Sequence, residues 1–260
     1  MGRFDGQVVW ITGGGTGIGR ATAVEFARQG AKVAVSGRRV DRLSGAVDDI
    51  KAAGGEALAV ACDVTDEQAC RDAVQQIVDA WGRVDIAMAN AGYAMMEWMT
   101  KLEPSDYRRQ FETNVFGLIN TVYAALPELL KTKGQIVLVG SVVSFIAPPK
   151  FSPYTASKAA ARGLAESWSQ DLKRQGVSVS IVCPGYVASE ISQVNNQGVH
   201  NPEAKASSSP LLVPADKAAK EIVSAVRRKK IIAGITGHGR VLIWVKRHFP
   251  WLSRLIMARI

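Results

Sequence analysis

Cysteine is scarce in this chain of 260 residues: Cys62, Cys70 and Cys183 are odd in number and fall in no metal-ligand spacing. That pattern gives neither a disulfide framework nor a zinc site, so the expectation is a cytoplasmic protein without a metal. The first residues, MGRFDGQVVWIT, lack a charged stretch followed by a long apolar core, and they do not read as a secretory leader. Gly2 invites myristoylation, but Gly6 stands where Ser or Thr is required. Acid is missing from Ile222 onward, where Arg227, Arg228, Lys229, Lys230, Arg240, Lys246, Arg247, Arg254 and Arg259 supply nine of the 32 basic residues. Residues 1–221 are therefore charge-balanced, and the net charge of +9 acts at the tail rather than over the body.

What is present suits one large α/β domain: 47% of residues are hydrophobic and 21% charged, which argues against disorder and allows a full core. QVVWIT (7–12) is a continuous apolar run of the kind buried on both faces of a sheet. It enters GGGTGIGRATAVEFARQG, in which Gly13, Gly15, Thr16, Gly17, Ile18 and Gly19 open a helix. Strand, glycine turn and helix in that order let a backbone approach a pyrophosphate and offer it the free N–H groups of the new helix. The second strand, KVAVSG (32–37), is followed by Arg38 and Arg39, with no acid to bond a ribose hydroxyl. No carboxylate then stands in the way of a 2′-phosphate, which a guanidinium can grip, so NADP(H) is preferred and NAD(H) is the alternative.

EALAVACDV (56–64) reads as a third strand ending at Asp63 and Val64, and RVDIAMANAG as a fourth ending at Asn90, Ala91 and Gly92. Small residues there admit a flat ring, and the asparagine can tie its strand to a neighbour. Met95, Met96, Trp98 and Met99 follow and serve either as core or as a greasy pocket wall. One helix is expected from about Pro104 to Leu130, with Asn114 inside it. GQIVLVG then leads to Ser141, and thirteen positions later comes Tyr154 with Lys158 four beyond. On a helix i and i+4 share a face, so the ammonium is expected to pull the phenol pKa down and make a proton donor.

VSVSIVC (177–183) is a sixth strand ending at Pro184, Gly185, Tyr186 and Val187, and RRKKIIAGI (227–235) a last one. Alternating strands and helices give a doubly wound parallel sheet with every candidate group at the strands' carboxyl ends. Residues 189–214, from Ser189 to Pro214, are polar and rich in breakers, as in a lid-like loop; His200 within it is read as a solvated histidine without a role. The tail at 238–260 interleaves Trp244, Phe249, Trp251, Leu252, Leu255 and Ile256 with cations. It is too short and too charged to span a bilayer but suits an anionic membrane surface; packing on a second subunit or capping the pocket are the alternatives. A nucleic-acid binder has no use for that aromatic interleaving, so no nucleic acid is expected.

Together these motifs resemble the short-chain dehydrogenase/reductase family over roughly residues 5–235. Thr12-Gly13 with Gly17-Ile18-Gly19 is similar to its cofactor turn, Asp63-Val64 to its adenine-contacting pair, and Asn90-Ala91-Gly92 to its strand-stabilising motif. Asn114, Ser141, Tyr154 and Lys158 fall where the family's catalytic tetrad falls. Pro184-Gly185 with Val187 resembles the segment beside the nicotinamide, and Ser189 keeps the hydroxyl of the commoner threonine. The resemblance implies a single-domain Rossmann fold at 1–237, with a seven-stranded parallel sheet, helices on both faces and the tail as an extension. It also implies hydride transfer between a ketone or aldehyde and an alcohol. Tyr154 would move the proton, Lys158 would lower its pKa and hold the nicotinamide ribose, and Ser141 would polarise the substrate oxygen. Asn114 would hold a relay water. An apolar substrate, of lipid, steroid or retinoid type, and a homodimer or homotetramer are expected. Val142, Val143, Phe145, Ile146, Pro148, Pro149 and Phe151 would then form one wall of the substrate site. The competing readings are an NAD-linked alcohol dehydrogenase and a nucleotide sensor, which would need no tetrad.

Overall fold

Apolar runs rich in β-branched residues have no face to show to water, and a parallel sheet covered on both sides hides them. The computed structural model describes residues 2–196, 198–201, 203 and 209–252. In it the strands are β1 (Val8–Thr12), β2 (Lys32–Gly37), β3 (Ala57–Ala61), β4 (Ile86–Ala89), β5 (Gln135–Val139), β6 (Ser178–Pro184) and β7 (Ile232–Ile235). They form one seven-stranded sheet in the order β3-β2-β1-β4-β5-β6-β7, with every pair parallel. The helices between them are α1 (Gly17–Arg28), α2 (Val40–Ala52), α3 (Glu67–Trp81), α4 (Pro104–Phe111), α5 (Gly117–Thr132), α6 (Ser152–Asp171), α7 (Ala215–Arg227) and α8 (Gly237–His248).

Alternate residues of a strand face opposite sides, and β1 divides the core accordingly. Val9 and Ile11 pack with Phe26 of α1, Leu43 and Ile50 of α2 and Ile222 of α7. Val8 and Trp10 pack with Ile77 of α3, Leu129 of α5 and Ala161 of α6. The expected doubly wound Rossmann-type domain is therefore what the chain forms. The order reverses between β1 and β4, where the register Val9↔Ile86 and Ile11↔Met88 brings Thr12 and Asn90 side by side. A reversal of this kind leaves a crevice at the carboxyl ends of the two strands.

Three segments differ from the sequence-based expectation. The single helix expected from Pro104 to Leu130 is two helices, joined by a π-helical turn over Glu112–Phe116. Asn114 sits in that turn, a rare geometry that recurs at functional sites because it re-aims a side chain. The helix that carries Tyr154, expected over 153–175, stops at Asp171 and is followed by a 3₁₀ turn, Lys173–Gln175. The tail does not begin as a free appendage: Gly239 in the first turn of α8 is buried against the domain. Residues 253–260, with Arg254, Leu255, Ile256 and Arg259, lie outside the described residues, as do 197, 202 and 204–208 of the lid-like loop.

Candidate active site

The turn after β1 is shaped for close approach. Gly13 has φ +63°, and a Cβ there would come within 2.9 Å of Ala91 Cα, while one on Gly19 would collide with the Gly13 carbonyl. Asn90 closes the crevice from the other side. Its Nδ2 donates to the carbonyls of Thr12 (2.8 Å) and Gly13 (3.1 Å), and Thr12 Oγ1 accepts from the backbone N–H groups of Asn90 (3.1 Å) and Ala91 (3.2 Å). Thr16, the N-cap of α1, makes no side-chain cap, and the first turn of that helix carries no acid. Its free N–H groups and positive dipole end thus suit an anion. The residues present fit a dinucleotide pyrophosphate.

Beyond β2, Arg38 donates to the Gly198 carbonyl (3.2 Å) and lies 3.8 Å from Asp63. Asp63 Oδ1 accepts from the backbone and hydroxyl of Thr65, and Val64 is buried. Arg39 donates to Glu190 (2.9 Å) and reaches Thr16 Oγ1 (3.4 Å), and Arg42 lies 3.9 Å from the same Glu190 carboxylate. The expectation that no carboxylate stands in the way of a 2′-phosphate is therefore corrected. None comes from the loop after β2, but the lid-like loop brings Glu190 onto the guanidiniums from 151 positions away. His200, read as solvated, lies 3.3 Å from that carboxylate. Ser189 packs over the turn, since a Cβ on Gly17 would lie 2.9 Å from its own Cβ.

At the ends of β4 and β5 the four expected catalytic side chains converge. Ser141 caps a 3₁₀ turn, Val142–Ser144, its hydroxyl accepting from Val143 N (3.3 Å), and it lies close enough to the Tyr154 phenol to pull the phenol pKa down. Lys158 Nζ donates to the Val139 carbonyl (2.7 Å) and lies 5.8 Å from the Tyr154 ring centre. Asn114 Oδ1 accepts from Tyr93 N (3.1 Å), and its Nδ2 donates to the Tyr93 carbonyl (2.9 Å) and to Ser157 Oγ (3.1 Å). Gly92 lies between them: a Cβ there would be 2.9 Å from Asn114 Oδ1 and 3.8 Å from Lys158 Nζ. Pro184 ends β6, and Gly185 and Val187 extend the same edge.

The electrostatics depart from expectation. Burial pushes the Tyr154 phenol up to about 12, with the Ser141 hydrogen bond pulling the other way. Burial likewise pushes the Lys158 ammonium down to about 8. Desolvation outweighs the pull of Ser141, so the phenol does not fall below its usual value as the Tyr154–Lys158 spacing led one to expect.

Two residues that sequence reasoning passed over hold this arrangement. Ser157 accepts from Asn114 and donates to the Tyr154 carbonyl (2.7 Å), and Gln110 accepts from Met95 N (2.8 Å) and donates to the Tyr93 carbonyl (3.0 Å). Neither carries a local signal; both become visible only when α4, the π-turn and α6 meet. The expected apolar wall is partly present. Val143, Phe151 and Ala94 cluster with Tyr154, whereas Phe145 turns into the core and is stacked by Arg162 (4.8 Å). Met95 is core, while Met96, Trp98 and Met99 are exposed, with Lys150 over the Trp98 ring (4.8 Å).

A glycine cradle on a helix N-terminus, beside a buried tyrosine and lysine at a switch point, defines a nucleotide-binding oxidoreductase. The family profile described as short chain dehydrogenase matches residues 7–200, and the chain belongs to that family, whose members act on alcohol and carbonyl groups. It is 33% identical over 257 residues to an 11-beta-hydroxysteroid dehydrogenase-like 4A of Arabidopsis thaliana, covering 96% of this chain and 83% of that one. A Burkholderia phymatum short chain dehydrogenase/reductase in complex with NAD matches with a TM-score of 0.85 at 25% identity, over 97% of both chains. An alcohol dehydrogenase from the archaeon Thermococcus sibiricus, complexed with 5-hydroxy-NADP, matches with a TM-score of 0.72 at 26% identity, covering 88% of this chain and 94% of that one.

The buried ammonium generates a stability prediction. The folded value of Lys158, about 8, lies below its usual 10.5. Its contribution is therefore fully present above pH 10.5 and is lost as the pH falls through 8. Lys158→Met is expected to gain stability relative to the wild type between about pH 10 and pH 8, by up to about tenfold in the folding constant per pH unit, and to level off below that. Denaturant unfolding of both proteins across that range measures the difference, and a gap that does not vary with pH would mean that Nζ is solvated.

Proposed function

We propose that this protein is an NADP(H)-dependent oxidoreductase that interconverts an apolar ketone or aldehyde and its alcohol. The observation that carries the reading is buried Tyr154, beside Ser141 and with Lys158 Nζ 5.8 Å from its ring, on the sheet edge that also carries the glycine turn. A bound nicotinamide supplies or receives the hydride. The rest of the chemistry belongs to this chain. Ser141 polarises the substrate oxygen by hydrogen bonding, and Tyr154, kept protonated by burial, donates its proton to that oxygen in reduction. Lys158, with its ammonium pushed down to about 8, exchanges protons near neutrality and so recharges the phenol. Asn114, fixed by Tyr93 and Ser157, is placed to hold a water that links Lys158 to solvent. It also lines the gap beside Gly92.

The cofactor preference rests on Arg39 and Arg42, whose guanidiniums already hold one anionic group, the Glu190 carboxylate; a 2′-phosphate offers them more charge and more acceptors. The substrate class rests on the apolar surface of Val143, Phe151 and Ala94 at Tyr154 and on the exposed Met96, Trp98 and Met99. The name of the Arabidopsis relative fits the same class.

Two partners are proposed with it. The first is a second copy of the chain, paired through α5 and α6, where exposed Tyr123 stands edge-on to Trp168 (6.4 Å) beside exposed Phe116. The other is an anionic membrane surface. Among the described residues no helix is long and apolar enough to cross a membrane. On α8 and just after it, Val241, Trp244 (55% exposed), Phe249 and Trp251 (64%) lie open beside Arg240, Lys246 and Arg247. That is the composition of a helix lying in the headgroup plane.

Tyr154→Phe is expected to lower turnover by at least about 10²-fold while NADPH binding, read by protein fluorescence quenching, stays nearly intact; an active Phe variant would sink the assignment. Arg39→Ala should weaken NADPH by about tenfold or more and leave NADH unchanged. Equal losses for both dinucleotides would favour the NAD-linked alternative. In flotation with phosphatidylserine vesicles the full chain should rise and a chain ending at residue 237 should not. Both staying at the bottom would remove the membrane from the account.

A further inference from the structure

Thr236 has φ 74° and ψ 146°, a region that glycine occupies almost alone and that a β-branched residue enters only when its surroundings force it. Those surroundings are specific. Thr236 N donates to Glu221 on α7 (3.0 Å), its Oγ1 accepts from Gly239 N (3.3 Å), and Arg240 donates to the same Glu221 oxygen (2.7 Å). The bend delivers His238, the first ring of the tail, to the cofactor edge. Its Nε2 accepts from Tyr186 N (2.9 Å) and stands 3.2 Å from Thr236 Oγ1, and its ring lies 6.0 Å from that of Tyr186. The fit is tight, because a Cβ on Gly185 would collide with the imidazole. One on Gly239 would come within 3.0 Å of Val142 Cγ1 and 3.4 Å of Gly185 N. The first turn of α8 is thus wedged between the Pro184–Val187 segment and the turn that carries Ser141.

We propose that His238 is a positioning residue for the dinucleotide: its neutral imidazole holds Tyr186 N, and through it the segment from Pro184 to Ser189, against the glycine turn. This rests on the reading of Pro184–Val187 as the wall beside the nicotinamide. A backbone N–H only donates, so Nε2 must be the unprotonated nitrogen and Nδ1 carries the proton of the neutral ring. Protonation turns the acceptor into a donor facing a donor and releases the segment. Facing the ring are Glu221 from α7, whose carboxylate is itself held by Arg240, and Tyr186 from the segment. Burial keeps the imidazole below its usual 6.5, with Glu221 acting in the opposite sense. Cofactor affinity should therefore fall on acidification through the imidazole range, a range in which Tyr154 does not titrate.

The test is NADP⁺ affinity, by quenching of protein fluorescence, at about pH 7.5 and pH 5 for the wild type, His238→Gln and His238→Ala. The wild type is expected to weaken about tenfold at the lower pH. The Gln variant, whose Oε1 accepts the same N–H without titrating, should match the wild type at pH 7.5 and lose distinctly less affinity than it at pH 5, the shared loss coming from protonation of the 2′-phosphate. The Ala variant should be weak at both. A Gln variant that retains the wild-type pH dependence, or an Ala variant that binds like the wild type, overturns the role of His238. A wild type that binds neither NADP⁺ nor NAD⁺ overturns the oxidoreductase reading itself.

Discussion

The side-by-side closure of β1 and β4 is the constraint on which the rest depends. Asn90 spends its side chain on the Thr12 and Gly13 carbonyls, and Thr12 spends its hydroxyl on the backbone of Asn90 and Ala91. Without that stitch the glycine turn and the end of β4 would be two frayed strand ends with unpaired polar backbone. With it they form the floor of a crevice whose walls are helix N-termini on one side and α6 on the other. Because both faces of the sheet are buried under helices, the carboxyl edge is the place where groups can be polar and still reach a ligand.

Burial governs the chemistry at that edge more than charge does. It raises the Tyr154 phenol to about 12 and lowers the Lys158 ammonium to about 8, drawing each toward its neutral form. A neutral phenol is the state required for donating a proton, and an ammonium that yields its proton near neutrality is the state required for returning one. The hydrogen bond from Nζ to the Val139 carbonyl holds the ammonium beside the phenol without neutralising it, as a carboxylate would. The absence of any acid among these close contacts is what leaves the pair responsive to whatever charge a ligand brings.

Much of this was legible because it is local. The strands are continuous apolar runs, the cofactor turn is a cluster of glycines between strand and helix, and Tyr154 with Lys158 is a helical spacing. Each of these reads out within twenty residues. What could not be read was carried by contacts distant in sequence. Asn114 is aimed by a π-turn that no propensity encodes, and Ser157 and Gln110 act only once α4 and α6 are packed. The expected lowering of the Tyr154 pKa failed because a spacing reveals a neighbour but not its desolvation. Phe145 was grouped with the substrate wall on hydrophobicity alone, and its direction is set by Arg162 and the core behind it.

The two segments that looked like appendages show the same lesson with more consequence. Glu190, in a loop read as a lid, lies on Arg39 and Arg42, and His238, in a stretch read as tail, reaches Tyr186. Glu190 follows the Pro184–Ser189 segment directly, and His238 holds its other end at Gly185 and Tyr186. Ser189 packs over Gly17, and Gly185 has room for nothing larger than hydrogen beneath the imidazole. A ligand entering this cleft must therefore displace a carboxylate from one end while the other end is held by a neutral ring. One contact is an ion pair that a phosphate can replace and the other an imidazole acceptor that a proton removes, so the segment between them is the part of the site most exposed to ligand charge and to pH. The glycine turn, by contrast, is fixed by the uncharged side chains of Asn90 and Thr12, whose hydrogen bonds neither can alter. Recognition of the dinucleotide is thereby divided between a rigid floor encoded locally and an adjustable wall assembled from distant parts of the chain.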